Sequence, residues 1–355
     1  MASEGWASLS PEIAADELLD LCRDFAVPVA LTGATGFVGS HVLAALRAAG
    51  VPRRLLVRGS GRWTGGPPVG EEVIEGSLED GAALQRLVRG AGTVVHVAGL
   101  VRAARAADFH RANAVGTARL LEAMAKTAPG ARLIYVSSLA AAGPSAAIDG
   151  RTPDDPPTPV SAYGRSKLRG EEYVRDWSGP WVILRPPAIY GPRDRDVLQF
   201  FRLAARGVVP LPAGERWVTV AHVADVVRAI LAARCQGTNR VLHLGEPSPR
   251  RLDQLMATLA GAGGLKRPRM PAVPGLVLRA AGLAGDALQR LGVRTVAMTS
   301  DKACELLARH WTAVTAPSLK ELRLPGYVPL EDGARATWVW YRQHGWVSRG
   351  TIRAA

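Results

Sequence analysis

The sequence predicts a parallel sheet wound with helices on both faces, followed by a smaller, mostly helical C-terminal lobe. Three observations predict it. Short apolar runs alternate with helical stretches from Val27 to Leu184, the pattern of a parallel sheet flanked by helices. A glycine-rich turn stands where the first of these runs gives way to the first helix. Beyond about Leu244 the alternation fades into helical stretches broken by Gly and Pro.

The elements follow in order. Ser10-Pro11-Glu12 opens a helix whose Ile13, Leu18, Leu21 and Cys22 share a face, so residues 1–26 form a helical extension. Strands are expected at Val27–Thr32, Arg53–Val57, Glu72–Ile74, Thr93–Val97, Arg132–Ser137 and Trp181–Leu184, and helices at Phe37–Ala49, Asp108–Thr127 and Tyr163–Trp177. Gly143–Pro159, with five prolines, is neither continuous helix nor central strand, and Pro186–Asp196 is similar. This divides the chain into residues 27–245 carrying the sheet and 246–355 forming the lobe, to which 186–214 contribute. Within the lobe, Pro274–Leu291 is the most apolar stretch. It reads either as a packed lobe helix or as a surface that meets lipid or a greasy substrate, a peripheral membrane contact through 274–291.

Composition removes several classes of function. With 355 residues and 48% hydrophobic content, the chain buries a full core, which excludes wholesale disorder. No run of about 18 uncharged apolar residues appears, so a spanning helix is not expected. The first 24 residues carry six acids and lack the pattern of a secretion signal, which points to the cytoplasm. The net charge of +13 comes almost wholly from arginines scattered along the chain, not from a basic stripe interleaved with aromatics. Nucleic acid is therefore not the expected partner, and an acidic small molecule is the better beneficiary of the field. Cys22, Cys235 and Cys304 form no disulfide framework, and the seven histidines show no metal-ligand spacing.

The turn Thr32-Gly33-Ala34-Thr35-Gly36-Phe37-Val38-Gly39-Ser40 supplies what a dinucleotide pyrophosphate needs: a tight turn, backbone free of Cβ at close approach, and N–H groups at a helix start. Its spacing is G-x-x-G-x-x-G, with Gly33, Gly36 and Gly39 as the fixed points and Thr35, Phe37 and Val38 lining the cradle. Strand two ends in Leu55-Leu56-Val57 and is followed by Arg58 and Arg62, with no acid to hold a ribose 2′-hydroxyl. NADP(H) is thereby favoured over NAD(H), because guanidinium pairs with a 2′-phosphate. Tyr163 and Lys167 place a phenol and an ammonium four residues apart on one helix face. A phenol is a poor acid–base group near pH 7, so Lys167 and an oxidised nicotinamide ring are expected to lower its pKa.

Together these motifs resemble the extended short-chain dehydrogenase/reductase superfamily, which contains nucleotide-sugar epimerases, 3β-hydroxysteroid dehydrogenases and dihydroflavonol reductases. The likeness spans about Val27 to Val347. It rests on T-G-A-T-G-F-V-G (32–39), V-V-H-V-A-G (94–99), N-A-V-G-T (113–117), Y-V-S-S (135–138), Y-G-R-S-K (163–167), L-R-P-P-A-I-Y-G-P-R-D (184–194) and H-V-A-D-V-V (222–227). The resemblance implies a Rossmann-type fold and assigns roles by position. Tyr163 would be the general acid–base, Lys167 would bind the nicotinamide ribose, and Ser138 would hydrogen-bond the reacting oxygen. Asn113 would organise a water path to the lysine, or serve as a structural helix residue. Ala98-Gly99 would lie along the adenosine side, and Pro186 to Ile189 would meet the nicotinamide amide. His96 and His222 read as structural, and a homodimer through the helices at Asp108–Thr127 and Tyr163–Trp177 is implied.

Departures from the pattern narrow the substrate. Ser138 is followed by Leu139-Ala140-Ala141, where sugar-nucleotide dehydratases carry an Asp-Glu pair. Ala142 and Val218 replace a tyrosine and an arginine typical of the epimerases, with Arg216 two positions out of register, and Ser77-Leu78 stand where an adenine-contacting acid is often found. The expectation is an NADP(H)-dependent oxidoreductase interconverting a ketone and a secondary alcohol on a hydrophobic steroid-, polyketide- or flavonoid-like small molecule. The alternatives are a nucleotide-sugar epimerase with tightly bound NAD and a non-catalytic NADP-sensing or scaffold protein.

Overall fold

The computed structural model describes residues 13–23, 27–59, 69–291, 293, 296 and 298–347. Its centre is a seven-stranded, all-parallel sheet. In chain order the strands are β1 (Val29–Thr32), β2 (Arg53–Val57), β3 (Glu71–Glu75), β4 (Thr93–His96), β5 (Arg132–Val136), β6 (Trp181–Arg185) and β7 (Arg240–His243). Their order across the sheet is β3-β2-β1-β4-β5-β6-β7, so the winding reverses between β1 and β4. In sheets wound this way, ligands bind at that reversal, beyond the carboxyl ends of the strands.

The register follows from burial. Leu31 pairs with Leu55 on one side and Val95 on the other, and all three are buried. Strands covered on both faces need continuous apolar runs, which the sequence provides. On one face they pack against α2 (Phe37–Ala48) and α9 (Val223–Ala232), on the other against α3 (Gly81–Val88) and α5 (Gly116–Thr127). Truncating a wholly buried leucine such as Leu31 or Leu84 to alanine would cost about 2–5 kcal/mol.

The expected strands are present within a residue or two of their predicted limits. The expected helix from Asp108 is instead three pieces: α4 (Ala106–Phe109), a π-helical turn (His110–Val115) and α5. The helix of the Tyr163 region, α7, runs Ala162–Arg175 and is capped by Ser161, whose side chain accepts from the Gly164 amide at 3.0 Å. The N-terminal helix, α1 (Ala15–Cys22), buries Leu18 and Cys22 together with Ile13 against the sheet's own core, and Glu17 pairs with Arg228 of α9 at 2.9 Å. Residues 10–12, expected to open this helix, lie outside the described residues.

A third core lies to one side of the sheet's carboxyl edge. Phe201 and Tyr190 from the 186–220 region join Leu255, Leu259, Trp338 and Tyr341 from the C-terminal part. Phe201 sits edge-on to Trp338 and Tyr341, at 5.1 and 5.2 Å between ring centres. Pro186–Asp196 contains a short strand, Ala188–Tyr190, which pairs with Val220–His222 outside the central sheet. Among the described residues no helix is long and apolar enough to cross a membrane.

Candidate active site

Gly33 follows β1 directly and has φ +78°, a conformation that side chains rarely adopt. A Cβ there would stand 2.7 Å from the Ala98 amide nitrogen, so the backbone after β1 touches the backbone after β4. Gly39, in the first turn of α2, packs against Gly33 in turn: a Cβ would lie 2.6 Å from the Gly33 carbonyl carbon. The Gly36 amide closes the turn onto the Gly33 oxygen at 2.9 Å. No side chain caps α2, and its first turn carries no acid, so its N–H groups and dipole face the crevice uncompensated. A pyrophosphate fits such a cradle, and a Cβ at Gly33 or Gly39 would push apart the backbones that shape it.

The crossover is pinned from below. The Ala98 amide donates to Thr32 Oγ1 at 3.2 Å, and the Thr32 hydroxyl donates to His96 Nδ1 at 2.7 Å. Burial, with the charge of Lys167 adding, pushes His96 down to about 3, so the ring is neutral at pH 7. Its Nε2–H then donates to Thr117 Oγ1 at 3.0 Å, and Thr117 donates to the Asn113 carbonyl at 2.7 Å. His96 is thus held in one tautomer by a continuous chain, which fits the structural reading of that residue.

Asn113 lies in the π-helical turn and is buried. Its amide clamps Leu100 at both backbone groups, accepting at 2.7 Å and donating at 2.9 Å, and donates to Ser166 Oγ at 2.9 Å. The segment Ala98–Leu100 is therefore tied to α7 through a single side chain. The π turn aims Asn113 at both partners.

Tyr163, Ser138 and Lys167 come together at the carboxyl end of β5. Ser138 caps the short helix α6 (Leu139–Ala142) by accepting from the Ala140 amide at 3.1 Å, and its hydroxyl is close enough to the Tyr163 phenol to lower its pKa. Lys167 is buried; its Nζ donates to the Val136 carbonyl at 2.7 Å and sits 4.4 Å from the centre of the Tyr135 ring. Phe109 flanks Tyr163 at 5.9 Å between ring centres. In the protein alone the phenol is not lowered toward neutrality, as expected from its neighbours, but pushed up to about 12. Burial dominates, outweighing the lowering effect of the Ser138 hydroxyl, and the carboxylates of Glu305 and Asp196 add to it. Burial also pushes Lys167 down to about 7, against the pull of Glu171, so the ammonium offers the phenol less charge than its type suggests.

Sequence reasoning missed the ionic floor beneath these groups. Glu171, one turn beyond Lys167 on α7, accepts from Ser137 Oγ at 2.5 Å and from Arg185 through two bonds of 2.9 and 2.6 Å. Arg185 Nη1 also lies 3.4 Å from His243 Nε2. Burial, with Arg185 adding, pushes His243 down to about 4, so Nε2 accepts and Nδ1–H donates to the Arg151 carbonyl at 3.0 Å. The chain of contacts locks β5, β6, β7 and α7 together under Ser138 and Lys167. Its signals were present in Y-G-R-S-K-L-R-G-E and L-R-P-P, but only the fold brings them together.

The other expected residues are placed as follows. Arg58 is exposed, directly after β2 and beside the cradle strand; Arg62 lies outside the described residues. The Pro186 carbonyl accepts from the Leu139 amide at 2.8 Å, linking that loop to the Ser138 segment. Ile189 packs against the sheet's core, in register with Ala221. Gly99 faces Asn113 Oδ1 and Lys167 Nζ. Arg216, the arginine out of register, donates to the carbonyls of Ala213, Gly214 and Leu306.

The wall beside Ser138 is apolar. Leu139, Ala142 and Ala313 form a small buried cluster with Trp311 against it. The C-terminal part reaches the same place through Asp301, which accepts from the Ala162 amide at 2.6 Å, one residue before Tyr163.

Residues 29–245 match the model of the NAD dependent epimerase/dehydratase family. The chain is 38% identical over 330 residues to the ceramide reductase of Caulobacter vibrioides, covering 91% of this chain and 97% of that protein. It is 31% identical over 333 residues to a 4-hydroxy-2-methyl-3-oxo-4-farnesyl-3,4-dihydroquinoline-1-oxide ketoreductase of Stigmatella aurantiaca, covering 91% and 98%. Among solved structures, MoeE5 in complex with UDP-glucuronic acid and NAD superposes with a TM-score of 0.69 at 25% identity, covering 89% of this chain and 99% of that one. The UDP-glucose 4-epimerase of Thermotoga maritima, at 24% identity and a TM-score of 0.70 over 89% and 99%, shares the fold.

Proposed function

Because the chain belongs to the NAD-dependent epimerase/dehydratase family of extended short-chain dehydrogenases/reductases, and is an NAD(P)-dependent enzyme of the oxidoreductase type, we propose that it reduces a ketone to a secondary alcohol on a lipid-like molecule, with NADPH. The observation that carries this reading is the approach of Ser138 to the Tyr163 phenol next to the apolar cluster of Leu139, Ala142 and Trp311. An apolar cluster next to the acid suits a hydrocarbon better than a sugar nucleotide. Arg216 supports the same choice, since its guanidinium is committed to three backbone carbonyls. The two relatives named for reductase activity carry ceramide and farnesyl groups in their names, which points to long hydrocarbon chains.

The bound coenzyme supplies a hydride from its nicotinamide C4. Gly33, Gly36 and Gly39 would hold its pyrophosphate with Thr35, Phe37 and Val38 around it, while Ala98 and Gly99 would border the adenosine side. Arg58, with Arg62, would pair with the 2′-phosphate, and Pro186 to Ile189 would meet the carboxamide. Ser138 would hold the substrate carbonyl oxygen, and Tyr163 would give it the proton as the carbonyl carbon gains its hydride. A phenol pushed up to about 12 remains protonated at neutral pH, which favours this direction. Lys167 would bind the ribose and help stabilise the phenolate until a proton returns through the Asn113 side of the site. In this reading residues 27–245 serve the coenzyme, and 246–355 with 186–214 enclose the substrate. Pairing of two copies through α5 and α7 fits the same scheme.

The test is the nicotinamide absorbance with purified protein, NADPH and a long-chain keto-lipid. Stoichiometric loss of absorbance with formation of the alcohol supports the reading. An isomerised sugar nucleotide with no net absorbance change would establish the epimerase instead. In the Tyr163→Phe variant, turnover should fall by about 10² or more while coenzyme affinity stays within a few-fold.

A further inference from the structure

The helix α11 (Gly275–Arg290) is built inside out. Gly282 and Gly285 face the protein so closely that a Cβ would lie 2.9 Å from Ser300 Cα and 2.9 Å from the Met298 carbonyl carbon. Small residues take the packed side and large ones face outward. Leu276 is 79% exposed, Leu283 66% and Leu291, just past the helix, 81%, with Val277 and Leu288 also exposed. At about 100° per residue these side chains and the intervening alanines cover an unbroken apolar arc of roughly 160°. A helix whose apolar side served the core would turn its leucines the other way; here only Leu278 does so.

Charge identifies what covers this face. Arg279 and Arg290 stand on the same border of the arc, about three turns apart, both exposed. The helix's single acid, Asp286, is turned inward, where it accepts from the Ser300 amide at 3.1 Å. A second copy laid on the same face would bring only more arginine to that border. Anionic phospholipid supplies both the hydrocarbon and the missing negative charge. With 16 residues, the helix is shorter than a membrane span and suits an in-plane position.

We infer that α11 is a membrane-docking helix that lies in the surface of an anionic bilayer, with Leu276, Leu283 and Leu291 in the acyl region and Arg279 and Arg290 at the phosphates. The helix packs on α12 (Ser300–Leu307), whose Asp301 holds the Ala162 amide next to Tyr163. The lipid-facing element is thus one helix away from the acid–base tyrosine, and a lipid ketone would enter along that side. The docking surface stands on its own observations; the entry route rests on the proposed reduction of a lipid ketone.

The experiment is flotation of the full-length protein with phosphatidylcholine vesicles, with and without phosphatidylglycerol. The protein should float with the anionic vesicles, and the double variant Leu276→Glu/Leu283→Glu should bind them at least tenfold more weakly. That variant should keep the wild-type melting temperature and NADPH affinity, since both side chains are exposed. Absence of flotation, equal flotation of the variant, or indifference to phosphatidylglycerol would overturn the proposal. So would a lipid-free dimer that the double variant splits, since a second copy would then own the face. Reduction of a water-soluble short-chain ketone reads the catalytic proposal separately: loss of that activity with intact flotation would sink the reductase reading and leave the docking surface standing.

Discussion

Gly39 leans directly on Gly33: any Cβ on the helix residue would press into the carbonyl of the turn residue, 2.6 Å from its carbon. The obstacle is backbone, not the end of a flexible side chain, so it cannot swing aside. Gly39→Ala should therefore displace the first turn of α2 and weaken NADPH binding by about tenfold or more. Coenzyme fluorescence titration checks this, and an unchanged affinity would mean that the turn does not cradle the pyrophosphate.

Glu171 is wholly buried and answers the equally buried Arg185. Glu171→Gln keeps the shape but leaves a guanidinium without its counter-charge, a change that costs about 3–5 kcal/mol in comparable buried pairs. Urea unfolding should show a loss of unfolding free energy of that order. Activity should fall as well, because Ser137 loses its anchor beside Ser138. A variant as stable as the wild type would show that the floor is not ionic.

Lys167 has its pKa pushed down by burial to about 7. In the unfolded chain a lysine titrates near 10.4, so between these values the unfolded state binds more protons than the folded one. Stability of the coenzyme-free protein should therefore rise with pH from about 7 upward, by at most about 1.4 kcal/mol per pH unit from this residue. Lys167→Met removes the contribution. The difference in unfolding free energy between wild type and variant should grow from pH 7 to 9, and parallel profiles would contradict the assignment.

Arg58 stands exposed beyond β2, one strand from the cradle. Arg58→Ala should weaken NADPH by about 1.5–3 kcal/mol, the range of a charge-assisted hydrogen bond, and leave NADH nearly unchanged. Calorimetric titration with both coenzymes decides it. Equal losses for the two would remove the case for the 2′-phosphate.

The parts legible in the sequence were those whose physics is local. The run Val29–Thr32 is buried throughout because both faces of the strand are covered, and its glycine turn is needed where two backbones meet. The strand Arg240–His243 passed unnoticed because its first residue is exposed and only Leu242 and His243 are buried. The π turn at His110–Val115 was read as plain helix, since one extra residue per turn hardly disturbs the apolar period over six positions. The chain of contacts from Glu171 through Arg185 to His243 spans 72 positions and exists only once the strands align. For Gly275–Arg290 the composition left both a packed and a lipid-facing helix open. The deciding feature was the side on which the glycines lie, which is a property of the packing.

In the proposed reaction a hydride from the coenzyme reaches a ketone carbon beside Tyr163. NADPH deuterated at the transferable position of C4, incubated with the protein and a long-chain keto-lipid, measures this directly. Mass spectrometry should find one deuterium on the carbinol carbon of the product. An alcohol formed without deuterium, or recovered ketone beside unconsumed coenzyme, would contradict the account.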